Sequence, residues 1–462
     1  MPYRAFFRKE MDAFVTRKRK RDERVVKPAV ATTRVEPGEE EGKEEECTDF
    51  KLAVLASLHA GVEETALLEA LLAADGSVEQ ALEYLAQSSR SPMRKRPAPA
   101  TVGYQSSLTS YRIAPPNGAL VNKSVVKKGK TLFLYSPEDI ETHTPCSIIH
   151  NFLPAKQADA LLLELLEESS TYQRFEFKLF DRVVQSPHTY AFYVNSLEEV
   201  ERQKTEYVYD GRQMNNVRQS PPSLLAALPA VQTAVNTEIQ RRIRTFYPNA
   251  QKLAHQSPQP WHPNTAFVNC YDGPHQSVGY HADQLTYLGP RPVIGSLSLG
   301  VAREFRVRRI VAQDDDARAD GSRESTADAQ GQISIHLPHN SLLVMHAEMQ
   351  EEWKHSIAPA HAIDPHPLAG NKRINVTYRW YRESLHPKFT PRCRCGVPTV
   401  LRCAMRKKES RGRYMWMCHV GFVPGKEGCG FFVWAEFDAD GEPPWAAGKV
   451  KKDEEQRSVG SV

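Results

Sequence analysis

The chain has 462 residues, 40% hydrophobic and 25% charged, with a formal net charge of +4, eight cysteines, 32 prolines and a mean hydropathy of −0.52. That length allows several domains and an enzyme-sized core, while the low hydropathy and the prolines point to unpacked tails and linkers. No apolar run approaches the roughly 20 residues of a membrane-spanning helix, no secretory leader opens the chain, and the cysteines are too sparse for a secreted disulfide framework, so a soluble intracellular protein is expected.

Charge is unevenly spread. Residues 1–46 contain the run Arg17-Lys-Arg-Lys-Arg21 and, from Glu39 to Glu46, six glutamates against one lysine, blocks that repel themselves and bury no core. The segment reads as a disordered tail. Its basic run is a solvated stretch, a nuclear localisation signal or a non-specific grip on nucleic acid, with Arg94-Lys-Arg96 as a second cluster, and we expect a nuclear protein. From Cys47 the pattern turns helical, with Leu52, Leu55 and Leu58, then Leu67, Leu68, Leu71 and Leu72, then Val78, Ala81, Leu82 and Leu85 at helix spacing. Gly61 and Asp75-Gly76 separate the three groups, and Ser77-Val-Glu-Gln80 is a capping-box start for the third helix. The run Asp75 to Leu85 resembles ubiquitin-binding modules of the UBA or CUE type over residues 47–88. That resemblance implies ubiquitin as a partner, contacted through His59 to Val62 and around Leu85. His59-Ala-Gly61 matches neither family's contact motif, so a helical interaction domain with another partner stays open.

Residues 89–130, rich in Ser, Pro, Lys and Arg, read as a linker, and a globular pattern begins near Thr131. Ala155 to Glu168, with Leu161, Leu162, Leu163, Leu165 and Leu166, predicts a packed helix, and a second is expected over Leu224 to Phe246, interrupted near Pro229. Beyond Pro263 the pattern predicts short strands at 265–271, 292–299, 303–310, 332–337, 341–345 and 373–382, with 313–330 as a disordered insertion. Such a succession suggests a sandwich or jelly roll.

Candidate chemistry lies between Phe267 and Arg379. His281-Ala-Asp283 and the distal His355 offer two imidazoles and a carboxylate, a set able to hold one face of an Fe(II) ion and leave other positions open. Alternate residues of a strand share a face, so 281 and 283 can meet one metal, and Arg373, Asn375 and Arg379 can together hold a dicarboxylate. A His-X-acid triplet alone is weak evidence among 16 histidines, and His346-Ala-Glu348 competes with it. Order and flanks decide between them. Asn269-Cys-Tyr271 precedes His281-Ala-Asp283, Trp353-Lys-His355-Ser-Ile-Ala-Pro359 follows, and Arg373-Ile-Asn375-Val-Thr-Tyr-Arg379 comes last.

In these motifs and their order the chain resembles the AlkB family of Fe(II)- and 2-oxoglutarate-dependent dioxygenases, over roughly residues 131–386. The resemblance implies a double-stranded β-helix core with a flanking nucleotide-recognition region. It implies that His281, Asp283 and His355 bind iron at the catalytic centre, and that Asn269, Tyr271, Arg373, Asn375 and Arg379 bind 2-oxoglutarate, with Arg373 against the distal carboxylate. It also implies that 2-oxoglutarate is decarboxylated to succinate while a methyl group on a base nitrogen is hydroxylated and lost as formaldehyde. A base inside a duplex cannot reach such a pocket, so single-stranded or flipped-out nucleic acid is expected. Close repair relatives carry an acidic residue two positions beyond the metal aspartate, where it meets the base. Leu285 stands there in this chain, which leaves the choice of alkylated base open. Arg303, Arg306, Arg308 and Arg309 are candidates for phosphate contacts, or else lie on solvated strand faces.

After His386, Cys393-Arg-Cys395 is followed by Cys418 and Cys429, four thiols that can close a tetrahedral Zn(II) site with no open position. Gly412-Arg-Tyr414, Trp416-Met-Cys418 and Cys429-Gly-Phe-Phe-Val-Trp434 resemble the GRF-type zinc finger over residues 393–438. Between Arg392 and Trp434 nine Lys or Arg face two Glu, a local net charge of +7 interleaved with aromatic rings, which suits a grip on single strands. Arg413 is the expected nucleic-acid contact, and Phe432 and Trp434 are expected to be largely core.

The expected whole is a multidomain, monomeric protein with a jelly-roll dioxygenase core and flanking helices, a three-helix UBA/CUE-like bundle, a small zinc finger, and a disordered tail over 439–462. Its expected activity is Fe(II)- and 2-oxoglutarate-dependent demethylation of alkylated bases in DNA. The alternatives are the same chemistry on RNA, and an adaptor for ubiquitin and nucleic acid with an inactive oxygenase fold.

Overall fold

The computed structural model of the chain describes Leu55, residues 64–74 and 77–89, and residues 131–446 apart from 180–181, 210, 215, 311–330, 406 and 424. The expected N-terminal tail, the first bundle helix except Leu55, nearly all of the linker, the 313–330 insertion and residues 447–462 lie outside the described residues. Two helices of the N-terminal bundle are described, α1 (Glu64–Ala73) and α2 (Val78–Ser89). The Ser77 hydroxyl accepts from the Gln80 backbone N–H at 3.4 Å, the contact its capping box calls for. Leu55, Leu67, Leu71, Ala81 and Leu85 share one small core, so Leu85 faces inward and is not free to meet a partner, contrary to expectation.

The main body starts with β1 (Thr131–Leu134), α3 (Pro137–His143) and β2 (Cys146–Ile149). Helix α4 (Ala155–Glu168) follows, with Leu161, Leu162 and Leu165 fully buried, each contributing about 2 kcal/mol. Next come the hairpin β3 (Gln173–Leu179) and β4 (Arg182–Val194), α5 (Leu197–Glu206), the ribbon β5 (Val208–Tyr209) and β6 (Arg212–Gln213), and β7 (Val217–Gln219). Helix α6 (Pro222–Phe246) runs through Pro229, where an interruption was expected. Its buried stripe of Leu224, Ala227, Val231 and Val235 lies on both sides of the proline, and that burial outweighs the roughly 3 kcal/mol a mid-helix proline costs.

The remaining strands are β8 (Thr265–Asp272), β9 (Val278–His281), β10 (Ile294–Gly300), β11 (Arg303–Arg309), β12 (Gln332–Leu337) and β13 (Ser341–Met345). The short helix α7 (Met349–Glu352), β14 (Trp353–Ile357) and β15 (Lys372–Arg379) complete the domain. They form a larger sheet, β2-β13-β10-β15-β8-β4-β3 with β7 beside β4, and a smaller one, β1-β12-β11-β14-β9. Residues from both sheets, among them Phe192, Phe267, Ile294, Phe305 and Ile333, share one core, which makes the pair a jelly roll. Gly300 turns the chain from β10 into β11 at φ +84°, where a Cβ would collide with the Lys372 carbonyl oxygen.

The parity of β15 sets up the site. Ile374, Val376 and Tyr378 pack with Ala266, Val268 and Cys270 of β8 against the helical layer of α4 and α6. The alternate residues Arg373, Asn375, Thr377 and Arg379 are thereby turned into the space between the sheets, where all four are buried. So many buried polar groups on one face require partners or a ligand.

Residues 400–434 add a third sheet, β16 (Val400–Ala404), β17 (Arg413–Met417) and β18 (Phe432–Trp434). Leu401, Tyr414 and Trp416 from it share a buried cluster with Leu285 and Leu385 of the main body. Residues 439–446, expected to be disordered tail, are instead folded back onto the main body. The His255 N–H donates to the Ala439 carbonyl at 3.0 Å, the Trp445 indole donates to the Ser384 carbonyl at 2.7 Å, and Arg382 pairs with Glu442. Among the described residues no helix is long and apolar enough to cross a membrane.

Candidate metal and co-substrate site

Strand pairing does most of the assembly. Strands β9 and β14 are antiparallel neighbours with His281 opposite His355, which brings the two ring centroids to 4.3 Å. Asp283 follows two residues beyond the end of β9 and is 7% exposed. Its Oδ1 lies 3.8 Å from His281 Nε2 and 3.6 Å from His355 Nε2, too far for good hydrogen bonds. Ligand atoms of the three side chains all lie within 4.8 Å of one another, so they converge on one point.

Each donor is held in a ligating state. The Asp283 N–H donates to Gln350 Oε1 at 2.7 Å, and its Oδ2 accepts from Arg379 at 2.6 Å, which leaves Oδ1 for a metal. Burial alone would raise the Asp283 carboxyl, but the Arg379 guanidinium beside it outweighs burial and holds it below the usual carboxylate range. Burial, with His281 beside it, pushes His355 down to about 3, so its ring is the neutral, metal-binding form. His281 Nδ1–H donates to the Gly279 carbonyl at 2.8 Å, which aims Nε2 at the common point. The His281 side chain is 41% exposed and marks the open side. Two imidazoles and one carboxylate with an open side fit Fe(II).

The competing pair is disposed of by its partners. His346 is buried and hydrogen-bonded to Ser147 Oγ at 3.0 Å. The Glu348 carboxylate is taken by Arg242 at 2.9 Å and the Tyr247 hydroxyl at 2.6 Å.

Arg373 carries the second half of the site. It is 1% exposed, and its Nη2 donates to Ser298 Oγ at 2.6 Å and to Asn375 Oδ1 at 2.7 Å, while Nε and Nη1 are buried with no hydrogen-bond partner among the described residues. Burial drags its pKa down to about 10. A buried cation with two open donors calls for an anion, and a carboxylate matches its fork. Across the β8–β15 pairing Tyr271 lies opposite Arg373 and Asn269 opposite Asn375. The Tyr271 ring is 5.3 Å from the Arg373 guanidinium, and burial pushes its phenol up to about 12, so it stays a neutral hydroxyl. Asn375 Nδ2 donates to Thr377 at 2.8 Å, which leaves this side chain a brace for Arg373. Arg379, expected at the metal-chelating end of the dicarboxylate, is committed to Asp283 and stacked 4.4 Å from Phe267.

Two residues near the site escaped the sequence reading. Gln350 holds the Asp283 backbone, and half-buried His188 on β4 stacks on Tyr271 at 4.8 Å. The signal for His188 was the alternation His188, Tyr190, Phe192 along β4; for Gln350 there was none. Arg303 requires a correction. It is 3% exposed, and its guanidinium donates to the carbonyls of Gly273, Pro274, Gln276 and Ala358, so it clamps the loop before β9 and offers nothing to phosphates. Arg306 pairs with Glu304, Arg308 lies 4.2 Å over Tyr280, and Arg309 lies 5.0 Å over Trp353. Leu285 is 3% exposed and points into the cluster with Tyr414 and Trp416, away from any substrate.

In the segments flanking the strands of the C-terminal sheet, the sulfurs of Cys393, Cys395, Cys418 and Cys429 lie within 4.8 Å of one another. A four-thiol set with no other ligand fits a structural zinc ion. Cys403 lies apart from it, with its sulfur 3.7 Å from that of Met405. Exposed Arg413 stacks 3.9 Å over Trp434. Phe432, expected in the core, is 43% exposed, and Trp434 is only partly buried; Tyr414 and Trp416 fill the core instead.

The family model of the 2OG-Fe(II) oxygenase superfamily matches residues 145–379. The chain is similar to DNA oxidative demethylase ALKBH2 of Arabidopsis thaliana, 33% identical over 122 residues, which cover 25% of this chain and 37% of that protein. It is also similar to alpha-ketoglutarate-dependent dioxygenase alkB homolog 3 of Homo sapiens, 28% identical over 117 residues, 25% of this chain and 36% of that protein. The chain thus spans little more than a third of the length of these relatives. Among solved structures it is similar to OsALKBH1, with 16% identity and a TM-score of 0.34 over 51% of this chain and 98% of that one. A Pseudomonas putida prolyl-4-hydroxylase aligns with 15% identity and a TM-score of 0.27 over 54% of this chain and 97% of that one. Scores that low say nothing about site or substrate. The family match runs from the start of β2 to the end of β15 and takes in the whole converging triad and Arg373, so this chain belongs to the 2OG-Fe(II) oxygenase superfamily.

Proposed function

We propose that this chain oxidatively demethylates alkylated bases in nucleic acid, with single-stranded or flipped-out DNA as the preferred substrate. One observation carries the reading: a two-histidine, one-carboxylate set, open on one side, shares an inner space with the two unpartnered donors of buried Arg373. When bound there, Fe(II) and 2-oxoglutarate supply the oxidation of a methyl carbon attached to a base nitrogen.

The chain's own residues supply position. His281, Asp283 and His355 would hold the metal, Arg379 keeps Asp283 ionised, and Gln350 fixes its backbone. Arg373, braced by Ser298 and Asn375 and faced by Tyr271, would take the distal carboxylate of 2-oxoglutarate, with Asn269 beside it. Arg379 reaches the metal end of the co-substrate through Asp283. DNA as substrate is supported by the name of the Arabidopsis relative.

The other parts serve delivery. Four cysteines would hold Zn(II), and Arg413 with Trp434 and exposed Phe432 would grip single strands by charge and stacking. The N-terminal bundle would recruit a partner, with ubiquitin the first to test, and the basic run at Arg17–Arg21 would direct nuclear import. Base choice does not rest on Leu285, which faces inward.

The test supplies 1-methyladenine and 3-methylcytosine in single-stranded DNA and RNA oligonucleotides with Fe(II), 2-oxoglutarate and ascorbate, followed by mass spectrometry of the methyl group. Loss from DNA is expected. Loss from RNA alone moves the substrate assignment to RNA. No turnover on either, together with no 2-oxoglutarate binding, sinks the enzyme reading and leaves the adaptor.

A further inference from the structure

Among the contacts that the C-terminal cysteine domain makes with the oxygenase domain, two lead to Asp283. The first is the loop that carries this residue. Two positions beyond it Leu285 is buried among Leu401, Tyr414 and Trp416, and the next residue, Thr286, accepts from the Leu401 backbone N–H at 3.4 Å. The second is α7. The Tyr414 hydroxyl donates to Glu351 Oε1 at 2.6 Å. Glu351 is 2% exposed and also accepts from the Arg291 backbone N–H at 2.7 Å. Its neighbour Gln350, 4% exposed, accepts the Asp283 N–H at 2.7 Å. One tyrosine therefore grips both the loop that bears the carboxylate and the helix that holds that loop in place.

A domain serving only as a tethered strand grip has no need of this. It would turn polar faces to the main body and stay movable, as interfaces between independent domains do. Here the strand that presents Arg413 outward presents Tyr414 and Trp416 inward, in a cluster shared with the metal loop. We infer that Tyr414 is a positioning residue for Asp283, so that the cysteine domain is a structural wall of the metal site as well as a candidate strand grip. The inference rests on the proposed iron site and adds a residue that acts on it from another sheet.

The test uses the full chain and Mn(II), a redox-stable probe, titrated by electron paramagnetic resonance with 2-oxoglutarate present. Tyr414→Phe keeps the ring in its cluster and removes only the hydroxyl. Losing a group that directly holds a metal ligand costs about 10–100-fold in affinity, and Tyr414 acts one step further out, so a fall of roughly three- to tenfold is expected. Zinc content should stay as in the wild type and Tm should fall by only a few degrees, since buried Glu351 loses one donor and keeps Arg291, while deuterium uptake over residues 283–289 rises. Leu285→Val loosens the other contact and should move both readouts the same way. Asp440→Asn, which removes the ion pair with Lys252 without touching the loop, should move neither. Wild-type Mn(II) affinity and wild-type uptake in both Tyr414→Phe and Leu285→Val would overturn the inference. Wild-type protein that fails to bind Mn(II) at all would overturn the metal site on which it rests.

Discussion

Replacing Arg373 by methionine tests the co-substrate half of the site most directly. The guanidinium is 1% exposed, and burial takes its pKa from the ordinary guanidinium range down to about 10. At 1.36 kcal/mol per pH unit that shift corresponds to about 3 kcal/mol by which the fold disfavours the charge at neutral pH. Two of its donors, Nε and Nη1, make no well-formed hydrogen bond among the described residues, with the Tyr271 phenol facing the guanidinium. A dicarboxylate arriving there completes the fork and relieves the charge. Losing the pairing should therefore cost about 3 kcal/mol, or about a hundredfold in 2-oxoglutarate affinity. Arg373→Lys keeps the charge without the fork and should lose about tenfold. The same reasoning predicts an opposite sign for the free protein. Methionine removes an uncompensated cation, so the ligand-free Tm of Arg373→Met should not fall, although hydrogen bonds to Ser298 and Asn375 go with it. Calorimetry with Mn(II) present gives the affinity, and thermal unfolding with and without 2-oxoglutarate gives the stability. Wild-type affinity in Arg373→Met, or an unchanged rise of Tm on adding 2-oxoglutarate, would refute the assignment of Arg373 to this ligand.

Asp283→Ala should abolish metal binding and leave Arg379 buried without its carboxylate, lowering Tm as well; retention of Mn(II) by equilibrium dialysis would contradict the ligand assignment. Arg413→Ala should weaken binding of a methyl-free single-stranded oligonucleotide about tenfold and lower the slope of log affinity against log salt by about 1, with zinc unchanged; an unaltered slope would place Arg413 outside the grip. Removal of zinc by a chelator should unfold the three-stranded C-terminal sheet, visible as loss of protection in β16 to β18, whereas full protection would mean that its cluster with Leu285 suffices. His346 is held neutral because burial takes it well below its ordinary 6.5. Both folded and unfolded states are uncharged there above pH 6.5. Below it only the unfolded state gains the proton, so stability falls as pH drops from about 6.5. Denaturant unfolding at pH 7.5 and pH 5 should show a smaller loss in His346→Gln than in the wild type, and equal losses would mean that other groups set the acid limit.

Local pattern determined a good deal of this protein by itself. Short apolar runs between turn signals placed β8, β10 to β13 and β15 to within two or three residues, several of them buried on both faces, and leucine spacing bounded α4. Order and flanking residues picked out His281, Asp283 and His355 from 16 histidines and their neighbouring acids. Strands β9 and β14 escaped notice because four or five residues rich in polar side chains carry no period, yet their pairing is what places the two imidazoles face to face. Parity puts Arg303 and Arg306 on opposite faces of β11, but charge pattern could not say which face is inward; a ring of backbone carbonyls around the first is a property of the folded loop. Nor could it show that Leu285 faces the cysteine domain, or that Phe432 faces solvent while Tyr414 and Trp416 form the core. Short-range side-chain chemistry is written in the order of residues and settles which groups can ligate and which segments form strands. Which of those groups are left without partners depends on what distant segments bring to the same space, and that only the packed chain decides.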